Sequence, residues 1–166
     1  MDCVFVARNI PGPGLKAMKT VTNVIVSELD RELSAGEILD RCKGCTILVP
    51  TPANRIDGEL LKACPEIRLV ASFGAGVDHI DLDAAREQGV VVTNTPGVVS
   101  KTTANLGLTL ILAVTRRLVE GDRLVRSGGF QGIHPTFMLG SDLDGKTLGI
   151  FGLGRIGLEL ARRAKM

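Results

Sequence analysis

An α/β fold, a parallel sheet with helices packed against it, is what this sequence predicts, and two observations predict it. The first hundred residues alternate short apolar β-type runs with helical segments, as a parallel sheet with helical crossovers requires. Near the other end, Thr147 to Phe151 form a mostly apolar run of the kind a buried strand shows. It breaks into Gly152, Gly154 and Gly157 in G-x-G-x-x-G spacing, and then into the helix formers Leu158, Glu159, Leu160 and Ala161.

The elements follow in order. Cys3 to Ala7 reads as the first strand, which Pro11-Gly-Pro-Gly14 breaks before a short helix from about Leu15 to Lys19. Asn23 to Val26 is the second strand. Ser34 with Glu37 three residues later forms a capping box, so a helix is expected from Ala35 to about Cys42, buried through Ile38 and Leu39. Thr46 to Val49 is the third strand, closed by Pro50-Thr-Pro52. Asp57 can cap a helix running through Leu60, Leu61 and Ala63 until Pro65 ends it. Ile67 to Phe73 is the fourth strand and leads directly into Gly74-Ala-Gly76. Asp81 caps a helix from Leu82 to Gln88, Gly89 terminates it, and Val90 to Thr93 is the fifth strand. Five strands with intervening helices make a complete flavodoxin-like sheet.

After Thr93 the pattern changes. Asn94-Thr-Pro-Gly97 is a turn cluster, and it divides the chain into a first domain of residues 1–98 and a second region of 99–166. Ser100 to about Arg117 reads as a long helix, apolar on most faces and therefore expected to be buried on several sides as a connector. Arg116 to Arg126 mixes arginines with Glu120 and Asp122, the composition of a solvated helix face. Ser127 to Ser141 is rich in glycine and reads as loop.

Composition narrows the function classes. With 45% hydrophobic and 23% charged residues, 166 residues suffice for one good core, or for a small domain and part of another. A net charge of +2 gives no reason to expect a nucleic acid or an anionic membrane as partner. The apolar stretch from Ala104 to Val114 falls short of the ~20 residues needed to span a bilayer. The acidic start MDCVFVARNI lacks the basic region of an export signal, so a cytoplasmic protein is expected. Cys3, Cys42, Cys45 and Cys64 are then free thiols. Cys42 and Cys45 have C-x-x-C spacing, but neither His79 nor His134 has a partner at ligand spacing, so no metal site is expected.

The glycine motif has a physical reading of its own. The first glycine permits a tight turn, the second lets backbone approach a pyrophosphate, and the third lets the helix pack against the strand. Phosphates would sit over the helix N-terminus, where free N–H groups and the helix dipole favour an anion. At Gly74 to Asp78, successive N–H groups at the carboxyl end of a strand can form an anion-binding concavity, although the same glycines would equally make a plain turn.

Four motifs together carry a resemblance. SFGAGVDHIDLDAA (72–85), VVTNTPG (91–97), TTANLGLTLILAVTRR (102–117) and LDGKTLGIFGLGRIG (143–157) resemble, in that order and spacing, the D-isomer-specific 2-hydroxyacid dehydrogenases. The resemblance implies a substrate-binding domain at 1–98, followed by the first strand and helix of a Rossmann-type NAD(P)-binding domain. It implies that Ala75, Gly76 and Val77 bind a small 2-oxo or 2-hydroxy acid. Gly152, Gly154, Arg155, Ile156 and Gly157 would meet NAD or NADP, with Thr103 near the nicotinamide. Where the family carries an Ala-Glu pair, this sequence reads Ala104-Asn105. The family's catalytic arginine, glutamate and histidine lie downstream of the glycine motif and map onto no residue here, so His79 and His134 are expected to be loop or cap residues. The resemblance also implies a homodimer.

On this reading the 166-residue chain is part of an oxidoreductase and inactive alone. Two non-catalytic readings stand beside it: an NAD-sensing interaction protein of corepressor type, and a stand-alone module binding small carboxylates. The connector helix and the apolar face of the last helix are expected to lack cover, leaving 99–166 less well packed or paired with another copy.

Overall fold

The computed structural model describes residues 2–165, arranged as two compact units, Met1–Pro96 and Gly97–Met166. The division falls inside the Asn94-Thr-Pro-Gly97 turn.

The first unit contains β1 (Cys3–Val6), α1 (Pro13–Val21), β2 (Asn23–Val26), α2 (Ala35–Arg41), β3 (Ile47–Val49), α3 (Gly58–Ala63), β4 (Leu69–Ala71), α4 (Leu82–Glu87) and β5 (Val91–Thr93). All strand pairs are parallel and the order is β2-β1-β3-β4-β5, the doubly wound flavodoxin-like arrangement. Because strand side chains alternate between faces, Val4 and Val6 belong to one apolar cluster with Val49. Phe5, Leu48 and Val70 belong to the other, with Ile38 of α2, Leu60 and Leu61 of α3 and Ala85 of α4. Leu15 and Met18 of α1 pack on the Val4 side.

The caps form as the sequence predicts. The Ser34 hydroxyl accepts from the Glu37 N–H at 3.3 Å, and the Ser34 N–H donates to the Glu37 carboxylate at 3.0 Å. The Arg31 guanidinium beside it, with the Ser34 N–H, lowers the Glu37 carboxyl to a pKa of about 2. Asp57 accepts from the Leu60 N–H at 3.0 Å, and Asp81 from the Ala84 N–H at 2.9 Å. Helix α1 starts earlier than Leu15, because Pro13 occupies its first turn, where a proline's missing N–H costs nothing. Strand β4 is shorter than expected at both ends. The Ser72 and Phe73 N–H groups still bond, to the carbonyls of Thr93 (2.8 Å) and Pro50 (2.9 Å).

The second unit contains α5 (Ser100–Thr115), α6 (Leu118–Arg126) and α7 (Arg155–Ala164). Helix α5 stops before Arg117, which takes the left-handed conformation at φ 52° and turns the chain into α6. The Arg117 guanidinium bonds Glu120 at 2.5 Å and Arg126 bonds Asp122 at 2.8 Å, so this segment is a solvated, ion-paired face. After the loop through Phe130 and Phe137, the Ser141 N–H returns to the Thr115 carbonyl at 2.8 Å. Gly140 lies so close to that carbonyl that a Cβ there would collide with it. Helix α7 packs on α5. A Cβ at Gly107 would stand 3.7 Å from both Leu160 methyls, and the Arg163 guanidinium donates to the Asn105 amide oxygen at 2.5 Å.

Two expectations are corrected here. Thr147 to Phe151 form no strand, because a ladder needs a neighbour and no other strand lies in this unit among the described residues. Nor is α5 buried on several sides: among its residues only Ser100 and Ala104 are buried, whereas Leu106, Leu110 and Val114 are exposed. The exposure agrees with the expected thin packing of 99–166. Each uncovered large aliphatic side chain forgoes roughly 1.5–3 kcal/mol of burial.

Candidate functional site

Gly74 to Ile80 leave the carboxyl end of β4 and are held from several sides. Gly74 packs against Pro52, where a Cβ would stand 2.6 Å from the proline Cγ, so only glycine fits. Its carbonyl accepts from the Thr95 N–H at 2.9 Å, and the Asn94 amide donates to the Ala75 carbonyl at 2.8 Å. Downstream, the Ile80 N–H donates to the Val77 carbonyl at 2.9 Å, the Ile56 N–H donates to the His79 carbonyl, and the Ile56 carbonyl accepts from the Asp81 N–H, the last two at 2.8 Å. The carbonyls of this loop are thus used to fix its shape. Its donors are not: among the described residues the N–H groups of Ala75, Gly76 and Val77 make no hydrogen bond within the chain. Three successive free N–H groups on a rigid loop suit an anion, since backbone donors gain most from a charged acceptor.

His79 approaches the buried Ser72 hydroxyl, with Nε2 at 3.2 Å. Burial pushes its imidazole below its usual pKa, against the opposing pull of the Asp78 carboxylate. It sits as a half-buried ring within the loop. A cavity of about 460 Å³ beside it is lined by Ala53, Arg55, Asp57, Asp78, His79 and Asp81. Three carboxylates against one guanidinium disfavour an anionic ligand there, so the anion's seat is the N–H row rather than the cavity. Asn94 and Pro52, which hold that row, went unnoticed in the sequence. Asn94 looked like a turn former, and no spacing rule links residue 52 to residue 74.

In the second unit, Gly152 takes φ 94°, a conformation that favours glycine, and turns the chain into α7. Gly157 is buried against the Gly152 carbonyl, which a Cβ would overlap. Gly154 caps the helix and faces open space, where a Cβ would meet nothing within 4 Å. The first helical bond runs from the Leu158 N–H to the Gly154 carbonyl, and no side chain caps the helix. Among the described residues the N–H groups of Arg155, Ile156 and Gly157 are therefore free, and they lie at the positive end of the ten-residue helix's dipole. Gly152 makes the tight turn and Gly157 the close backbone approach, while Gly154 leaves open space before the helix; these free donors suit an anion such as a pyrophosphate. Thr103 lies exposed in the first turn of α5 and, among the described residues, makes no hydrogen bond to residues 152–157. Asn105 takes the Arg163 guanidinium instead.

The four thiols do not pair as C-x-x-C. Cys42 lies 3.0 Å from Cys64, and Cys45 lies 2.8 Å from Cys3, sulfur to sulfur. Among the described residues no group of three or more side chains is placed to hold a metal ion, and no helix is long and apolar enough to cross a membrane.

The strand order and the loop at the carboxyl end of β4 define a doubly wound α/β protein with an anion-ready loop. Residues 4–154 match the model of the D-isomer specific 2-hydroxyacid dehydrogenase catalytic domain, and the chain belongs to that family. It is 44% identical over 163 residues to a glyoxylate reductase of Korarchaeum cryptofilum, covering 98% of this chain and 49% of that protein. A glyoxylate reductase of Pyrococcus furiosus is 42% identical, with 98% and 49% covered. Among solved structures, a Thermus thermophilus protein superposes with a TM-score of 0.93 at 43% identity, over 98% of this chain and 52% of the other. An NADPH-dependent glyoxylate/hydroxypyruvate reductase from Sinorhizobium meliloti, in complex with NADP and malonate, gives a TM-score of 0.79 at 29% identity, with 99% and 50% covered. The chain spans about half the length of the curated relatives it matches.

Proposed function

We propose that this chain supplies the substrate-carboxylate loop and the first pyrophosphate loop of a cytoplasmic NAD- or NADP-dependent oxidoreductase. The reaction moves a hydride between the nicotinamide and C2 of a small 2-oxo or 2-hydroxy acid. The observation that carries this reading is the row of free N–H groups at Ala75, Gly76 and Val77. The family and the names of its glyoxylate reductase members support the reaction class. They give no support to a corepressor or a stand-alone module.

The chain's own residues bind and orient. Ala75, Gly76 and Val77 hold the substrate carboxylate by backbone donation, and the bonds from Asn94 and Thr95 keep that row from turning away. Gly152, Gly154, Arg155, Ile156 and Gly157 seat the cofactor phosphates on α7, and Thr103 lies toward the nicotinamide. The nicotinamide supplies the two-electron chemistry. No proton donor for the carbonyl is assigned among these residues, and we place turnover outside what this chain does alone.

The test removes one donor. Gly76→Pro deletes an N–H that would face a charged acceptor, worth about 1.5–3 kcal/mol. The affinity for oxalate, a non-reacting dicarboxylate, should fall roughly 10- to 100-fold. Gly76→Ala keeps the N–H and places a Cβ 3.4 Å from the Asp78 carboxylate, so it should bind nearly as wild type. Equal affinity in the proline variant would remove the basis of the assignment. We also propose a homodimer, supported by the exposed Leu106, Leu110, Val114 and Phe151. Light scattering should give twice the chain mass of 17.6 kDa, and a monomer at micromolar concentration would exclude it.

A further inference from the structure

Two thiol pairs lie at the amino end of the sheet, away from the Gly74 to Asp78 loop at its carboxyl end. Cys3 opens β1 and Cys45 precedes β3, while Cys42 and Cys64 are the C-caps of α2 and α3. Their separations of 2.8 and 3.0 Å leave less than about 1 Å to close before disulfide bonding distance. The pairs differ in access. Cys42 and Cys64 are 1% and 3% exposed, so both sulfurs of that pair are sealed. In the other pair Cys45 is buried, but Cys3 is only half-buried. The Asn23 amide donates to the Cys3 sulfur at 3.8 Å, on the side of the pair that solvent reaches.

We propose that Cys3 and Cys45 form a peroxide-sensitive dithiol, entered from solvent at Cys3, and that the equally close but sealed Cys42 and Cys64 stay reduced in the folded protein. The Cys3 thiolate attacks one oxygen of hydrogen peroxide. The O–O bond breaks, hydroxide leaves and takes up the proton that the Cys3 thiol lost on ionising to give the first water, and Cys3 becomes a sulfenic acid. Cys45, already touching it, forms the S–S bond as the S–O bond breaks, and the departing hydroxide takes the Cys45 proton to give a second water. Two thiols and one peroxide become one disulfide and two waters, with two electrons passing to the peroxide. Burial pushes the Cys45 thiol up to about pKa 12, which suits it to resolving a neighbour's sulfenic acid rather than to meeting peroxide first. A cellular dithiol pool restores the reduced pair. The disulfide would tie the start of β1 to the turn before β3 without touching the N–H row.

Trypsin separates all four cysteines, since cleavage after Arg8, Arg41, Lys43, Arg55, Lys62 and Arg68 puts them on peptides 1–8, 42–43, 44–55 and 63–68. The folded chain is exposed to hydrogen peroxide, alkylated, digested and mapped without reductant over time. The expected first product joins peptides 1–8 and 44–55, with 42–43 and 63–68 still alkylated. Oxidation should raise Tm by roughly 10 °C, reversed by dithiothreitol. Cys3→Ser should abolish the first product and protect Cys45 from oxidation; if that variant misfolds, Cys3→Ala serves, and the wild-type time course decides independently. A link between 42–43 and 63–68 forming as fast or faster would overturn entry through Cys3. So would a link between 42–43 and 44–55, or four alkylated thiols after peroxide has been consumed.

Discussion

Replacing Gly157 by alanine should undo the turn into α7, because the new Cβ meets the Gly152 carbonyl, which is backbone and has little freedom to give. Forced overpacking of this kind costs about 1–3 kcal/mol. The second unit has little stability in reserve, since Leu148, Leu153, Ile156 and Leu158 around the turn are all exposed. Hydrogen exchange of the amides of residues 158–164 should therefore accelerate roughly 5- to 150-fold, the same free energy read as an equilibrium constant. Gly154→Ala is the complementary variant. Its Cβ meets nothing within 4 Å, so amide protection should stay as in wild type while NADH binding, followed by nicotinamide fluorescence, weakens. Structure lost in one variant and only ligand lost in the other would separate the two glycines' roles. Wild-type protection in Gly157→Ala would show that the turn does not need that glycine.

Phe5→Ala should be the most destabilising truncation in the first unit. Phe5 is fully buried in the middle of β1, the strand flanked on both sides by β2 and β3, and its ring meets the layer formed by α2, α3 and α4. Removing a buried phenylalanine costs about 3–5 kcal/mol. In a unit of this size that lowers Tm by roughly 15–25 °C, which differential scanning calorimetry would read directly. Val91→Ala, on the edge strand β5 and 58% exposed, should stay within about 0.5 kcal/mol. Similar losses from both would mean that the sheet's centre is not where its stability lies.

The first unit was legible in the sequence because each of its signals is local. Ser34 with Glu37, Asp57 and Asp81 start helices through bonds to residues three positions on, and the short apolar runs are long enough to read as buried strands. The candidate loop was legible for the same reason: Gly74-Ala-Gly76 follows its strand directly. What was not legible depends on partners. Thr147 to Phe151 have the composition of a strand, but composition does not supply a neighbour. The Ser100 to Thr115 helix has the composition of a buried one, yet burial is decided by what packs around it. Arg117 in a left-handed conformation could not be foreseen either, since arginine seldom adopts it and here it is accompanied by ion pairing to Glu120. The thiol contacts show the same limit: the sequence reads four free thiols, and only the topology sets Cys42 against Cys64 and Cys45 against Cys3, each from a distant element.

The bond from Ser141 back to Thr115, with Gly140 pressed against that carbonyl, makes everything from Arg116 to Gly140 an excursion that begins and ends at one point. Such a closed detour is thermodynamically cheap to lengthen, each doubling of a flexible loop adding only about 0.6 kcal/mol. The α6 segment and the aromatic loop after it can therefore change in size while α5 and the approach to Gly152 keep their register. Variation is channelled into the detour and away from the glycine turn.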